Sequence, residues 1–299
     1  MINSQSNATS ETKTFSLIPN EKLLAIYSTM LKCRLLEQRA TALLQHGKIS
    51  SDLHASAGLE SAAVAAVIDL EQADTLCLAP HDWLPAFVKG ISLDTLFRTL
   101  APTSVNSDRT MQAETERKNV LISSTKASPQ KMLLDRASEA SAAKGGAVAV
   151  AFVPDAASSL THWQKTIQTA GNKRLPIIFV RYSSATGTGR PKAAPKPEAL
   201  VHGVPSIAVD ARDPVAVYRV AYEAIVRARQ LRGASLLECI IHHLASSANN
   251  REASGARLAT PHPILAMESY LKSRNITPQA EALAGFDRDL DLATRFLDK

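Results

Sequence analysis

The residues with the clearest potential for chemistry form the segment Val153-Pro154-Asp155-Ala156. Residues 147–152, directly before it, are an unbroken apolar run rich in valine, which is typical of a strand buried on both faces. A carboxylate that follows such a strand stands where the ligands of parallel sheets bind. It could hold a metal ion, or it could accept N–H groups as the N-cap of the next helix. From the residues alone, both interpretations of Asp155 stay open.

A helix and a second strand are predicted after this acidic turn. Ser158 and Ser159 are helix-starting types, and 175–182 is a second β-branched and aromatic run. Between them, apolar residues recur at a spacing of three or four and give one apolar stripe: Leu160, Trp163, Ile167 and Ala170. Two apolar strands joined by one helix predict a right-handed crossover with parallel strands.

The composition is that of an ordinary globular protein. The chain has 299 residues, of which 45% are hydrophobic and 21% charged, enough for a substantial core. The formal charge is +6, but the basic residues are scattered and follow no nucleic-acid-binding motif, so we expect no nucleic-acid partner. The 12 glycines are about 4% of the chain, fewer than the roughly 7% that is typical, although backbone cradles for phosphates usually need glycine.

The cysteines and the apolar runs indicate a cellular setting. Cys33, Cys77 and Cys239 lie far apart in apolar contexts without metal-ligand spacing, which predicts buried, reduced thiols. The first residues, MINSQSNATSETKTF, contain no hydrophobic signal core, and no apolar run is long enough to cross a membrane. We therefore expect a soluble, cytoplasmic protein with no membrane partner.

Helical and strand patterns alternate along most of the chain. Residues 1–18 are predicted to be a disordered polar tail. Helices are predicted at 21–45, 60–68, 84–89, 92–100, 132–143, 158–170, 214–229, 264–274 and 278–297. Strands are predicted at 74–79, 147–152, 175–182, 206–209 and 235–243, and irregular loops at 101–130 and 184–197. This alternation predicts a single α/β domain over 19–299, with a mostly parallel sheet and helices on both faces.

Four stretches, taken in order, resemble a known family. They are YSTMLKCRLLEQRATALLQHGKI, HASAGLESAAVA, FVPDA through LPIIFV, and HGVPSIAVDARDPVAVYRVAYEAIVRARQLRGASLLECI. Together with a weaker match at Thr260-Pro261-His262-Pro263-Ile264, they cover most of residues 21–275. The chain resembles the alpha subunit of thiamine-diphosphate-dependent 2-oxo acid dehydrogenases of the pyruvate and branched-chain type. The resemblance implies a thiamine-diphosphate-binding fold.

The resemblance also implies a cofactor site at the acidic turn. The family's strand ends in Gly-Asp-Gly, and an Asn follows thirteen residues after the Asp; the two side chains hold the Mg²⁺ that carries the diphosphate of the cofactor. The matching positions here are Asp155 and Gln168, with Pro154 and Ala156 in place of the two glycines. Asp155 and Gln168 are thus the implied Mg²⁺ ligands, and Ala156 the implied cofactor-binding neighbour.

Other family positions are substituted. His54 stands where the family has a histidine that faces the active site. The Tyr-Arg pair that grips the diphosphate in the family falls at Pro80-His81. The Gly-Gln-Glu-Ala motif becomes Gly58-Leu59-Glu60-Ser61, and residues 120–137 replace a glycine-rich cofactor loop without containing a glycine. These changes predict a lost or strongly altered cofactor site.

Three functions follow as alternatives. The chain is a working alpha subunit that binds thiamine diphosphate and Mg²⁺ together with a beta-type subunit and passes an acyl group to a lipoyl-bearing acyltransferase. Alternatively, it is a catalytically silent structural or regulatory relative that keeps the partner contacts. A third possibility is a binder of another small molecule in the same crevice. On the first two interpretations the chain works as part of an oligomer.

Overall fold

The computed structural model describes residues 18–49, 58–79, 82–101, 107–122, 129–143, 145–153, 160–184, 200–201, 203–241, 262–278, 283 and 285–298. In these residues one sheet has the strand order β2-β1-β3-β4-β7-β6-β5. The strands are β1 (Thr75–Leu78), β2 (Val120–Ile122), β3 (Ala149–Val153), β4 (Ile177–Ser184), β5 (Leu200–Val201), β6 (Val204–Asp210) and β7 (Ser235–Ile241). All neighbouring pairs are parallel except β5, which pairs antiparallel with β6. The predicted α/β fold with a mostly parallel sheet is confirmed.

Helices cover both faces of the sheet, as predicted. They are α1 (Asn20–Gln45), α2 (Glu60–Val67), α3 (Trp83–Val88), α4 (Leu93–Leu100), α5 (Ser107–Arg117), α6 (Pro129–Ala143), α7 (Leu160–Asn172), α8 (Pro214–Arg229), α9 (Pro263–Ser273) and α10 (Phe286–Thr294). Alternate residues of β3 point to opposite faces. Val150 and Phe152 join the larger core with α1, α2 and α8, whereas Ala151 and Val153 join a second core with α6 and α7.

The predicted loop at 101–130 is wrong in part, because the structure contains α5 and β2 there. Helix α5 has no apolar stripe from which the sequence could predict it. It is held instead by Glu114, whose carboxylate accepts the amide of Ser92 at 2.9 Å and its hydroxyl at 3.0 Å. Strand β2 has only three residues, which is too short for an alternating apolar pattern to be detected in the sequence.

The predicted helix over 278–297 is also wrong in its extent. Helix α10 begins only at Phe286, since Gly285 before it has a left-handed backbone with φ 94°. Such a conformation interrupts a right-handed helix and favours glycine. Residues 279–282 and most of the predicted loop at 184–197 lie outside the described residues, as do residues 1–17 of the predicted tail.

Smaller predictions agree with the structure. The three cysteines are free and buried, as expected. The strand predicted at 147–152 and the helix after it are present as β3 and α7, with β4 parallel to β3. The strand predicted at 235–243 ends at Ile241 as far as the structure describes it.

A buried carboxylate fixes the beginnings of β1 and β3. Asp74 is fully buried and accepts the amide of Val148 at 2.9 Å and that of Glu71 at 2.7 Å. The guanidinium of Arg229 on α8 donates two further hydrogen bonds to it, at 2.6 and 3.1 Å. Asp74 therefore joins both strands to the helix that covers them.

We expect Asp74→Ala to lower the free energy of unfolding by roughly 3–5 kcal/mol, because it leaves Arg229 partly buried without its main counter-charge. The matched control is Glu71→Gln: the side chain of Glu71 is 70% exposed and lies 3.3 Å from Arg229, so its loss should cost less than about 1 kcal/mol. Urea denaturation measures both. If the two variants lower the free energy of unfolding by equal amounts, this role of Asp74 is contradicted.

Candidate functional site

The topology of the sheet places a crevice between β1 and β3. From β1 the chain passes through α3, α4 and α5 to β2 on one side, whereas from β3 it passes through α7 to β4 on the other side. The helices of the two connections lie on opposite faces. Ligands of open parallel sheets bind outside the carboxyl ends of such neighbouring strands, where the strand order reverses. The ends of β1 and β3 are therefore the candidate site.

The predicted site residues follow these two strands in the sequence. His81 comes three residues after the end of β1, and Asp155 and Ala156 come two and three residues after the end of β3. All three residues, and His54, lie outside the described residues. Their roles, and the alternative of Asp155 as a helix cap, stay predictions.

The turn after β1 is closed by Asp82. Its carboxylate accepts the amide of Ala79 at 2.9 Å, and its own amide donates to the carbonyl of Ala79 at 3.1 Å. Trp83 follows as the first residue of α3 and is only 4% exposed. Its indole N–H is buried and has no hydrogen-bond partner within the described part of the chain. The residues that follow β1 thus include a carboxylate, which bonds to Ala79, and a buried indole donor.

Gln168 lies away from this edge of the sheet. It is exposed on α7, eight residues after Leu160, which corresponds to about 12 Å along the helix axis. Because β3 and β4 are parallel, α7 leads back towards the amino end of the sheet, and Gln168 lies on its second half. The structure does not bring Gln168 to the end of β3. That Gln168 and Asp155 bind the same metal ion stays a prediction, and the position of Gln168 does not favour it.

A polar pair that the sequence analysis missed lies beside β3, on the face that α7 covers. Glu238 of β7 is 8% exposed and accepts hydrogen bonds from Arg181 at 2.8 Å and from Ser183 at 2.7 Å. Arg181 is the register partner of Val153, the last residue of β3. Its positive charge is therefore close to the crevice, but Glu238 neutralises it. The sequence contained one signal for this pair: Arg181 and Ser183 are polar residues at alternate positions of an otherwise apolar strand.

A second cluster lies on the opposite face and is formed by Arg34, Glu60 and His262. The guanidinium of Arg34 contacts both the carboxylate of Glu60 and Nε2 of His262. Glu60 also accepts the amide of Gly58 at 2.9 Å, and Nδ1 of His262 accepts the amide of Ile264 at 3.1 Å. Arg34 thus joins the beginning of α2 to the beginning of α9.

Burial shifts the protonation of this cluster. It raises the pKa of Glu60 from its ordinary 4.5 to about 7, although Arg34 opposes the shift. Burial and then the charge of Arg34 lower the pKa of His262 from 6.5 to about 4. Burial raises the pKa of Tyr182 on β4, and so do the charges of Asp82 and Cys33. Tyr182 therefore lies close enough to the turn after β1 to be affected by the charge of Asp82.

The described residues contain no group of three or more His, Cys, Asp or Glu side chains that could hold a metal ion. The implied ligand Asp155 is not among them. None of the described helices is long and apolar enough to cross a membrane.

Glu60 and His262 should have opposite effects on stability. Glu60 binds its proton more tightly in the folded chain, so the free energy of unfolding falls between about pH 4.5 and pH 7, by at most roughly 3 kcal/mol. His262 binds its proton less tightly when folded, so the free energy of unfolding rises between about pH 4 and pH 6.5, by a smaller amount because the ring is partly exposed. The charged groups that affect the pKa of Glu60 are Arg34 and Glu37, and those that affect the pKa of His262 are Arg34 and Glu268.

We therefore expect Glu60→Gln to remove the fall and to leave stability rising with pH up to about 6.5. His262→Asn, which keeps a side-chain acceptor for the N-cap, should remove the rise and make the fall steeper. Urea denaturation between about pH 4 and pH 8 measures both slopes. If both variants keep the pH dependence of the unmodified chain, the assignment is wrong.

Comparison with known proteins agrees with the fold. Residues 27–281 match the family described as "Dehydrogenase E1 component". The chain is 26% identical to the pyruvate dehydrogenase E1 component subunit alpha-3, chloroplastic, of Arabidopsis thaliana, over 94% of this chain and 71% of that protein.

Two further relatives are similar over shorter stretches. The alpha subunit of acetoin:2,6-dichlorophenolindophenol oxidoreductase of Bacillus subtilis is 25% identical over 75% of this chain and 71% of that protein. The 3-methyl-2-oxobutanoate dehydrogenase subunit alpha of Mycobacterium tuberculosis is 28% identical over 44% of this chain and 40% of that protein. The family match covers the whole described sheet and most of its helices, so this chain belongs to the dehydrogenase E1 component family.

Proposed function

We propose that the chain is the alpha-type subunit of a 2-oxo acid dehydrogenase component that uses thiamine diphosphate. The observation that carries the proposal is the crevice at the ends of β1 and β3, in a chain of the dehydrogenase E1 component family. Relatives named as alpha subunits of pyruvate and 3-methyl-2-oxobutanoate dehydrogenases support a 2-oxo acid as the substrate class.

The described rim of the crevice does not by itself fit a diphosphate. Ala79, Asp82, Trp83 and Val153 supply a carboxylate and an indole donor but no cationic group. A diphosphate needs cations or clustered N–H groups around it. Binding therefore depends on the segments that follow β1 and β3, which contain His81, Asp155 and Ala156, and on a metal ion or a partner.

When bound, thiamine diphosphate supplies the electron sink for the loss of CO₂ from a 2-oxo acid. The chain's own contribution is to hold the diphosphate end. Asp155 is the proposed Mg²⁺ ligand and His81 a proposed donor to the phosphate. Asp82, the residue after His81, is itself fixed by its two hydrogen bonds with Ala79. His54 is proposed to face the reacting groups.

The remaining parts come from partners. By resemblance to the family, a beta-type subunit supplies the other half of the cofactor site, so the chain works in a hetero-oligomer. A lipoyl-bearing acyltransferase is the proposed acceptor of the acyl group. The proposal includes no nucleic-acid partner and no membrane partner.

A second candidate is a catalytically silent structural or regulatory relative. It is favoured by the substitutions at the turn: Pro154 has no N–H to donate, and Ala156 restricts the backbone where the family has glycine. His81 also replaces a bidentate guanidinium with an imidazole. In this second function the chain keeps the partner contacts and does not bind the cofactor. In a third function it binds another small molecule in the crevice.

A thermal-shift measurement separates the candidates. The chain is purified with a beta-type subunit and heated with and without thiamine diphosphate and Mg²⁺ at about 1 mM. Because a ligand that binds only the folded state stabilises it, we expect the melting temperature to rise by about 5 °C. Asp155→Asn should abolish the rise, whereas Asp135→Asn, an exposed carboxylate on α6, should leave it unchanged.

Three results would contradict the proposal in different ways. A complex that forms but shows no shift supports the silent relative. If the melting temperature still rises in the Asp155→Asn variant, Asp155 is not a ligand of the metal ion. A chain that binds no beta-type subunit excludes both functions that require a partner.

A further inference from the structure

A cavity of about 270 Å³ lies at the opposite edge of the sheet from the crevice. Helix α6 forms one wall, and the first residues of β1 and β3, Thr75 and Ala149, form the floor. The side chains around it are mostly small and apolar, among them Ala137, Ala140 and Val148. Its volume is just below the roughly 300–1,000 Å³ of common small-molecule sites, so it suits a ligand of only a few heavy atoms.

Arg136 lies in the wall of this cavity and is held by neutral partners. Its Nη1 donates to Oδ1 of Asn119 at 2.9 Å, and Nδ2 of Asn119 donates to the carbonyl of Gln72 at 2.8 Å. Asn119 has a left-handed backbone with φ 54°, a conformation that asparagine tolerates better than most residues. The guanidinium is thus positioned before any ligand arrives.

The charge of Arg136 is not compensated within the described residues. No carboxylate there forms an ion pair with it, although Glu139 also lines the cavity; Glu139 is exposed to solvent. A half-buried guanidinium with an amide as its only described partner keeps a full positive charge in a partly apolar setting, which an anion stabilises. Two other partly buried arginines, Arg181 and Arg229, are instead paired with the carboxylates of Glu238 and Asp74.

We propose that this cavity binds a small aliphatic carboxylate. A guanidinium matches a carboxylate with two parallel hydrogen bonds, and one arginine balances a single negative charge. The wall of alanine and valine side chains favours a short alkyl group over a second polar group. A phosphate, with two charges and more acceptors, would require more donors than Arg136 and Asn119 supply.

The site is separate from the proposed cofactor site and does not depend on it. The two sites nevertheless share their supporting strands, because β1 and β3 begin at the cavity and end at the crevice. Binding at the cavity can therefore be measured on the full chain without thiamine diphosphate, Mg²⁺ or a partner. A failure of one proposal does not affect the other.

The test is titration calorimetry of the full chain with isobutyrate, and with inorganic phosphate as a second probe. We expect a Kd for isobutyrate on the order of 1 mM and at least tenfold weaker binding of phosphate. Arg136→Gln should weaken isobutyrate binding at least tenfold. The matched control is Arg288→Gln, which removes the same charge from an exposed position on α10 and should leave the Kd unchanged.

A second variant tests the cavity independently of charge. Ala140→Leu fills the apolar wall and should abolish binding while the melting temperature shows that the chain is folded. The proposal is overturned if isobutyrate does not bind at about 10 mM, or if Arg136→Gln and Arg288→Gln bind alike. It is also overturned if phosphate binds as tightly as isobutyrate, or if folded Ala140→Leu keeps the Kd of the unmodified chain.

Discussion

The buried carboxylate of Asp74 is the contact on which the geometry of the crevice depends. It accepts the amide of Val148, just before β3, while the amide of Thr75 donates to the carbonyl of Val148 at 2.9 Å. These bonds fix the register in which Thr75 pairs with Ala149. Since a parallel pair is rigid along its length, the register at the amino ends also decides where the carboxyl ends of β1 and β3 stand.

Charge is balanced locally on both faces of the sheet. Glu238 neutralises Arg181 on one face, and Glu60 contacts Arg34 on the other. Pairing of this kind lowers the cost of burying the charges, but it leaves little positive potential for a diphosphate. An anionic ligand at the crevice must then find its counter-charge in the turns after the strands, in a metal ion or in a second subunit.

Much of the fold could be predicted from the sequence, because the β3-α7-β4 unit depends on local patterns. Apolar runs and one stripe of side chains are sufficient to predict two parallel strands and the helix between them. Helix α5 could not be predicted in this way, since it is stabilised by a carboxylate contact of Glu114 with Ser92 rather than by periodicity.

The site was predictable only in outline. The topology brings the carboxyl ends of β1 and β3 side by side, whereas Asp155 lies outside the described residues and its role stays a prediction. The spacing from Asp155 to Gln168 did not reveal that Gln168 lies on the second half of α7. The contact of Arg34 with His262 joins residues 228 positions apart, and Arg136 becomes notable only once its neighbours are known. Such contacts follow from packing, which no short window of sequence contains.

The antiparallel strand β5 has a consequence for how this chain can assemble. Its two residues, Leu200–Val201, pair antiparallel with Pro205 and Val204 and so cover only the beginning of the outer side of β6. At the other border, β2 presents only three residues. In the described part of the sheet, the uncovered backbone row is three residues long at β2 and begins at Ser206 on β6, so a second chain that adds a strand would pair with one of these two rows. Association through the helical faces would instead rely on side chains, whose shape and charge can distinguish a specific subunit from an arbitrary strand.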